Sequence, residues 1–387
     1  MTEHDDASVV SGDVSRAPAG GATGFRSIFG QPSSVGAVRV LLADPAAFTP
    51  QYDHELASAL GRAGAAVELV TSRFRFGEPP APDRYERLEL FYPLSSRLFR
   101  RSGLRLPLKA LEHPLGLARL ARRKADIVHV QWLAAPQVDD RLLRLKAPAV
   151  FTAHDLLPRR TASRHNLWRR LLDRFDRVIV HSERGRETLL RLGVPEDRLR
   201  VIPHPVFASD PVRADDGRTL LCLGVIRAYK GVDDAIEAAA SIGARLLVVG
   251  DPMEPVERYR EAAGAETEWR LGYLPEPEID RALGESTVAL FPYRAQLDQS
   301  GALLRALGAG VPAVVYDVGG LAEPVRRYEA GRVVPAEDVE ALAAAASELL
   351  HDADALEHAR AGARRARQEL TWAAAAAAHL ELYREIL

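Results

Sequence analysis

Two cations placed just ahead of a helix are the first feature of this sequence that could do chemistry. Arg227 and Lys230 lie in LGVIRAYKG, between an apolar run of strand length (Leu220–Ile226) and a run with helical spacing of apolar residues (Val232–Ala240). A parallel strand ending in a loop that leads to a helix presents that loop at the ligand-binding edge of an open α/β sheet. The amides at a helix start and two fixed positive charges together favour an anion. Downstream, Gln299, Ser300 and Gly301 precede the helical run Ala302–Gly308 and offer a second helix start of the same kind. Two such loops can stabilise charge developing on a leaving group without a metal ion. On the alternative view Arg227 and Lys230 are ordinary surface charges, but the second anion-ready loop in the same half weighs against it.

His154 closes another apolar run, AVFTAHD, with Arg159 and Arg160 a turn later. A histidine at the carboxyl end of a strand suits contact with a substrate hydroxyl or a developing charge. It equally suits a bond to a loop carbonyl that only shapes the turn. His129 and His181 lie within or near strands and read as structural. Leu98–Lys124 is basic and apolar, with Arg100, Arg101, Arg105, Lys109, Arg119, Arg122, Arg123 and Lys124 against a lone acid, Glu112. Two readings stand: a surface that docks on anionic lipid or a phosphorylated acceptor, or a solvated helix face over ordinary core leucines.

The elements that must position these residues alternate along the chain. Strands are expected at Val38–Ala43, Ala66–Thr71, Leu88–Tyr92, Asp126–Trp132, Ala149–Asp155 and Arg177–Ser182, and Leu199–Pro205 closes a first half. After a polar, turn-rich linker at Phe207–Gly217 the alternation resumes with Thr219–Ile226, Ala244–Asp251, Trp269–Leu274, Val288–Tyr293, Pro312–Asp317 and Gly331–Val334. Strands alternating with helices imply parallel sheets covered on both faces. The expected architecture is α/β: two Rossmann-like, doubly wound domains facing each other across a cleft, residues 36–206 and 218–371. A terminal helix, 372–387, returns to the first domain, and residues 1–35, rich in Gly, Ser, Ala and Asp, form a disordered tail.

The 387-residue length fits two domains, and the formal charge of −2 argues against a nucleic-acid partner. The single cysteine, Cys222, lies in an apolar strand and reads as core, which leaves no disulfide framework or cysteine metal site and fits a reducing, cytoplasmic setting. No run approaches membrane-spanning length, and the acidic amino terminus does not look like a secretory signal. Membrane contact is therefore expected only peripherally, at the inner face, through 98–124.

In order, FTAHD, VIPHP, LGVIRAYKG, VVGDP, FPYRAQLDQSGALLRALGAGVP and VGGLAE resemble the retaining glycosyltransferases of family 4, with the GT-B fold. The resemblance covers nearly everything after residue 35 and is strongest to a subgroup with I-R-x-Y-K-G and Q-S-G loops. It implies transfer of a sugar from a nucleotide diphosphate sugar to a glycan, lipid-linked or small-molecule acceptor, with retained anomeric configuration, no bound metal and no cofactor besides that co-substrate. It places Arg227 and Lys230 on the diphosphate and His154 beside the donor sugar. Gln299, Ser300 and Gly301 would complete the phosphate cradle, and Tyr273 and Leu274 would read the base through backbone groups. Gly319, Gly320 and Glu323 match a G-G-x-x-E turn, where Glu323 serves equally as a helix cap. The family's two glutamates fall near Leu297 or Asp298 and on Arg305. Asp298 suits the first role, but a guanidinium is donor-only and cannot accept from ribose hydroxyls. The alternative is a non-catalytic GT-B protein that binds a sugar nucleotide or serves as a partner subunit.

Overall fold

A computed structural model of the chain describes residues 37–98, 103–157, 161–294 and 298–387. The expected tail over 1–35 lies outside these residues, as do Arg100, Arg101, Arg159, Arg160 and Leu297. Short runs of Val, Ile, Leu and Ala, buried on both faces, form the central strands, while the edge strands are more polar and part-exposed. The first sheet holds β1 (Arg39–Asp44), β2 (Ala66–Ser72), β3 (Glu86–Phe91), β4 (Ile127–Val130), β5 (Ala149–Thr152), β6 (Arg177–Val180) and β7 (Leu199–Val201). Its order is β3-β2-β1-β4-β5-β6-β7, with every pairing parallel. The second sheet holds β8 (Thr219–Leu223), β9 (Arg245–Gly250), β10 (Thr267–Leu271), β11 (Val288–Phe291), β12 (Ala313–Tyr316) and β13 (Gly331–Val334). It is also parallel throughout, in the order β10-β9-β8-β11-β12-β13.

The helices of the first half are α1 (Pro50–Arg62), α2 (Arg105–Leu120), α3 (Pro136–Leu142), α4 (His165–Leu172) and α5 (Glu183–Leu192). Those of the second are α6 (Val232–Ser241), α7 (Glu257–Ala262), α8 (Glu276–Glu285), α9 (Gly301–Gly308), α10 (Ala322–Tyr328), α11 (Val339–His351) and α12 (Ala353–Glu369). The last helix, α13 (Trp372–Ile386), packs Ala376, Leu380 and Tyr383 into the core that β1 and α1 build on the first sheet. Its Tyr383 hydroxyl bonds His129 Nδ1 at 2.7 Å.

Strand order reverses between β1 and β4 in one sheet and between β8 and β11 in the other. At such a switch point the loops leave in opposite directions and open a crevice at the carboxyl edge. The strands stop earlier than the apolar runs that announce them. In Thr219–Ile226 the regular strand ends at Leu223, where Gly224 turns the chain at φ 122, and pairing resumes only as a single bridge from Ile226 to Pro252. Trp269–Leu274 pairs only to Leu271, with Gly272 at φ 131. Val288–Tyr293 pairs only to Phe291, since Pro292 has no N–H for the ladder. The residues left over form the loops at the crevices.

Helix α2 buries Leu117 and Leu120 in the first core and leaves other leucines in solvent. Leu104, Leu106, Leu111 and Leu115 are 74%, 74%, 70% and 58% exposed, so they are not core leucines. The lone acid Glu112 faces inward and caps the turn at Ser95–Arg97, accepting from the Leu94 and Ser95 amides at 2.7 and 3.0 Å. Beside it, buried His113 bonds Asp139 at 2.6 Å and the Tyr92 hydroxyl at 2.7 Å. The inner side of α2 is thus fixed by polar contacts, with the Lys109 ammonium 4.4 Å from the centre of the Tyr92 ring, and its outer side carries leucines and the exposed Arg119. Among the described residues, no helix is long and apolar enough to cross a membrane.

Candidate active site

The loop after β8 carries Arg227 and Lys230. Gly231 ends it in the left-handed region at φ 64, and a Cβ there would lie 2.0 Å from the Pro292 carbonyl oxygen. Only glycine allows this loop to lie so close to the one after β11. Lys230 is buried with its ammonium 3.7 Å from the centre of the Tyr293 ring, a close cation–π contact. The Tyr293 hydroxyl reaches Ser300 Oγ at 3.0 Å, and Ser300 caps α9 by accepting from the Leu303 amide at 3.4 Å. Lys230 and the α9 start are therefore joined through one tyrosine, and Arg227 is exposed on the same loop. The Ser300 amide donates to Gln299 Oε1 at 3.1 Å, while Gln299 Nε2 donates to the Gly320 carbonyl at 3.0 Å. Gln299 thus ties the loop after β11 to the Gly319–Gly320 turn after β12.

In the first half, His154 follows β5 and meets Trp132, which follows β4 at the switch point, and Tyr52 of α1. The His154 ring stacks on Trp132 at 5.2 Å and 15°, and Tyr52 meets it edge-on at 4.5 Å. His154 Nε2 lies 2.8 Å from the Gln131 amide, and Nδ1 lies 3.3 Å from His181 Nε2. Burial holds His154 and His129 well below the ordinary histidine range, and His181 down to about 3, so all three rings are neutral. The Ile202 carbonyl can only accept, so His181 carries its proton on Nδ1, 2.9 Å away. His181 Nε2 then accepts from His154 Nδ1–H. The Gln131 amide is placed with Oε1 2.8 Å from His154 Nε2 and Nε2 3.1 Å from His129 Nε2; with the His154 proton on Nδ1, this amide must turn end for end so that its Nε2 donates to His154 Nε2. Both nitrogens of His154 are thus fixed by neighbours.

His181 also links the two halves. Its backbone amide donates to Asp298 Oδ2, and Ser182 Oγ donates to Asp298 Oδ1. Glu323, from α10, accepts from the Glu183 and Arg184 amides at 3.0 and 2.9 Å. Arg184 in turn pairs with Asp317 at 2.8 Å. Three acids of the second half therefore converge on the amino terminus of α5 in the first. Glycines permit the approach: a Cβ on Gly185 would lie 2.3 Å from Asp298 Oδ1, and one on Gly320 would lie 2.1 Å from the Asp298 carbonyl oxygen. Burial pushes Asp298 up to about 7, against its bonds from Ser182 and His181.

The sequence-predicted residues thus fall into two joined groups. Lys230, Gln299, Ser300 and Gly320 surround the loops of the second sheet, and Asp298 connects them through His181 to His154. Tyr273 stands apart, exposed against Phe74 and Phe76 at 5.5 and 6.2 Å, while Leu274 packs on the second core. Arg305 pairs with Glu276 on α8. Gln131, Ser182 and Phe74 were not singled out by sequence reasoning, and His181 was read only as structural. The only signal for them was that strands ended in polar or aromatic residues. Among the described residues, no group of three or more His, Cys, Asp or Glu side chains is placed to hold a metal.

Two parallel sheets whose switch points and loops are joined in this way define the GT-B class of glycosyltransferases. The chain belongs to the family 4 and group 1 glycosyltransferases: residues 51–209 match Glycosyltransferase Family 4, and residues 217–352 match Glycosyl transferases group 1. It is 28% identical over 313 residues to a glycogen synthase of Mycobacterium tuberculosis, covering 73% of this chain and 72% of that one. It is 25% identical to a D-inositol 3-phosphate glycosyltransferase of Xylanimonas cellulosilytica, over 86% of this chain and 90% of that one. An exopolysaccharide phosphotransferase of Streptomyces coelicolor is 32% identical over 46% of this chain, but the match spans only 20% of that protein. In fold, the chain resembles sucrose-phosphate synthase from Thermosynechococcus elongatus, with TM-score 0.69, 21% identity, and 90% and 98% of the two chains covered. It also resembles Anabaena HepE solved in complex with UDP-glucose, with TM-score 0.66, 15% identity, and 90% and 100% covered.

The raised carboxyl of Asp298 has a measurable consequence. Unfolded, it titrates near about pH 4; folded, near about 7. Between these values the folded chain binds more protons than the unfolded one. The Asp298 contribution to stability is therefore full below the unfolded value and is lost as pH rises through the folded one. Urea unfolding across this range is expected to show wild type losing on the order of a few kcal/mol relative to Asp298→Asn. Parallel pH profiles for the two proteins would mean that Asp298 titrates normally.

Proposed function

We propose that the chain transfers a sugar from a nucleotide diphosphate sugar with retained anomeric configuration, and that fixed cations rather than a metal stabilise the leaving diphosphate. The observation that carries this reading is the Lys230–Tyr293–Ser300 connection. It joins a buried ammonium to the start of α9 on the loop that also carries the exposed Arg227, at the switch point of the second sheet. Breaking a glycosyl phosphate bond puts negative charge on the leaving group, and preorganised positive groups lower that barrier. The HepE structure in complex with UDP-glucose supports a nucleoside diphosphate sugar as donor. His154, fixed at both nitrogens, presents a neutral ring to the reacting sugar. Glu276, held by Arg305 next to Tyr273 and Leu274, offers a carboxylate for the ribose hydroxyls in place of the glutamate that Arg305 replaces.

A second reading, a sugar-nucleotide-binding protein without turnover, is favoured by one observation: Asp298 and Glu323 are both committed to α5. Donor turnover separates the two. Lys230→Ala and Arg227→Ala are each expected to lower kcat by about a hundred- to a thousandfold. Transfer should persist in chelator, and NMR of the product should show retained configuration. Activity that chelator abolishes and magnesium or manganese restores, with Lys230→Ala near wild type, would refute the proposal.

The exposed leucines of α2, with the exposed cations Arg119, Arg122 and Lys124 at its carboxyl end, fit a lipid-linked acceptor reached by peripheral contact with an anionic bilayer. Sedimentation with vesicles is expected to show binding that requires anionic lipid, weakens with salt and is lost in a Leu106→Ser, Leu111→Ser double variant. Absence of binding to anionic vesicles would assign the acceptor to solution.

A further inference from the structure

The loop between β1 and α1 is constructed more elaborately than a connection of its length requires. The buried carboxylate of Asp44 accepts from the amides of Ala46, Phe48 and Thr49 at 3.2, 2.6 and 3.1 Å. Asp53, buried beside it, is pushed well above the ordinary range by that burial and by Asp44, so it keeps its proton and donates it to Asp44. Ala47 is held in the left-handed region at φ 50, a conformation that side chains with a Cβ rarely adopt. Such local strain persists only where the surroundings over-determine it, and it concentrates at functional sites.

This construction holds one large apolar side chain out in solvent. Phe48 is 54% exposed, with its ring 5.2 Å from that of Trp132 and inclined to it by 65°. Trp132 is half-buried, and its indole N–H donates to Thr49 Oγ1 at 2.8 Å, which fixes the ring plane. The same indole stacks on His154. Phe48 and Trp132 thus form a rigid aromatic corner at the switch point of the first sheet, one ring removed from His154.

We propose that Phe48 and Trp132 bind a pyranose ring of the acceptor. A pyranose has a face of C–H groups and a rim of hydroxyls. The C–H face packs against the negative face of an aromatic ring, and the rim stays hydrated. Two rings inclined at 65° give such a sugar a floor and a wall, a shape that an acyl chain does not need and that a phosphate would not choose over cations. Stacking on His154 sets the bound sugar beside the residue assigned to the donor sugar. The acceptor role rests on the proposed function, but sugar binding at this corner does not.

Saturation-transfer NMR on the full chain without any sugar nucleotide tests it. The probes are maltotriose, α-1,6-mannobiose and myo-inositol 1-phosphate. At least one of the two saccharides is expected to receive saturation at its ring protons. Phe48→Ala, a change at an exposed side chain, should weaken that binding on the order of tenfold, as loss of one stacking ring does. Phe48→Tyr should retain it, and inositol phosphate should show no binding that depends on Phe48. Absence of transfer to both saccharides, equal binding by Phe48→Ala, or inositol phosphate binding that Phe48→Ala weakens as much would overturn the assignment. Failure of the donor reading would show in the Lys230 and Arg227 variants and leave this measurement unaffected.

Discussion

Helix α5 starts in one half of the protein and is capped by the other. The first amides of any helix lack partners within it, and the aligned peptide dipoles make that end positive. Here Glu323 supplies the carboxylate for two of those amides, Asp298 binds Ser182 and His181 just before them, and Asp317 pairs with Arg184. Among the described residues, the cores on the two sheets are built from separate sets of buried residues. Polar contacts at α5 join the halves, together with Tyr273 against Phe74 and Phe76 and the return of α13 to the first core. The α5 contacts fix the loop after β11, which carries Asp298 and Ser300, against the strand end that carries His181.

That junction explains why groups from opposite halves can act on one substrate. His181 gives its backbone to Asp298 and its ring to His154, so the position of the second-sheet loop is transmitted to the first-sheet histidine through one residue. From Asp298 the same loop continues through Gln299 and Ser300 to Tyr293 and Lys230. The cost of this arrangement is a buried carboxyl pushed up to about 7, the kind of perturbation that concentrates at functional sites.

Much of this was legible from the sequence, and the parts that were not have a common cause. Parallel strands buried on both faces read as continuous apolar runs, so both sheets and their order along the chain could be anticipated. Arg227, Lys230, Ser300 and Gly301 were visible because strand, loop and helix start are adjacent in sequence. The capping of α5 was not, because Ser182 and Asp298 are 116 residues apart and Arg184 and Glu323 are 139 apart. Glu323 was read equally as part of a donor-site turn and as a cap, with no helix assigned to it, and His181 as structural without its second partner. The leucines of α2 failed differently: their spacing is the same whether they face a core or solvent, and only the inward bonds of Glu112 and His113 decide which.

The account depends most on the claim that the α5 contact, rather than the linker, sets the distance between the halves. Spin labels at Arg141→Cys on α3 and Glu278→Cys on α8, both exposed, report that distance by double electron–electron resonance. In the otherwise wild-type chain the distribution should be narrow. Adding Glu323→Ala and Arg184→Ala should broaden it and shift it to longer distance, with the fold of each half retained. An unchanged narrow distribution in that variant would contradict the account.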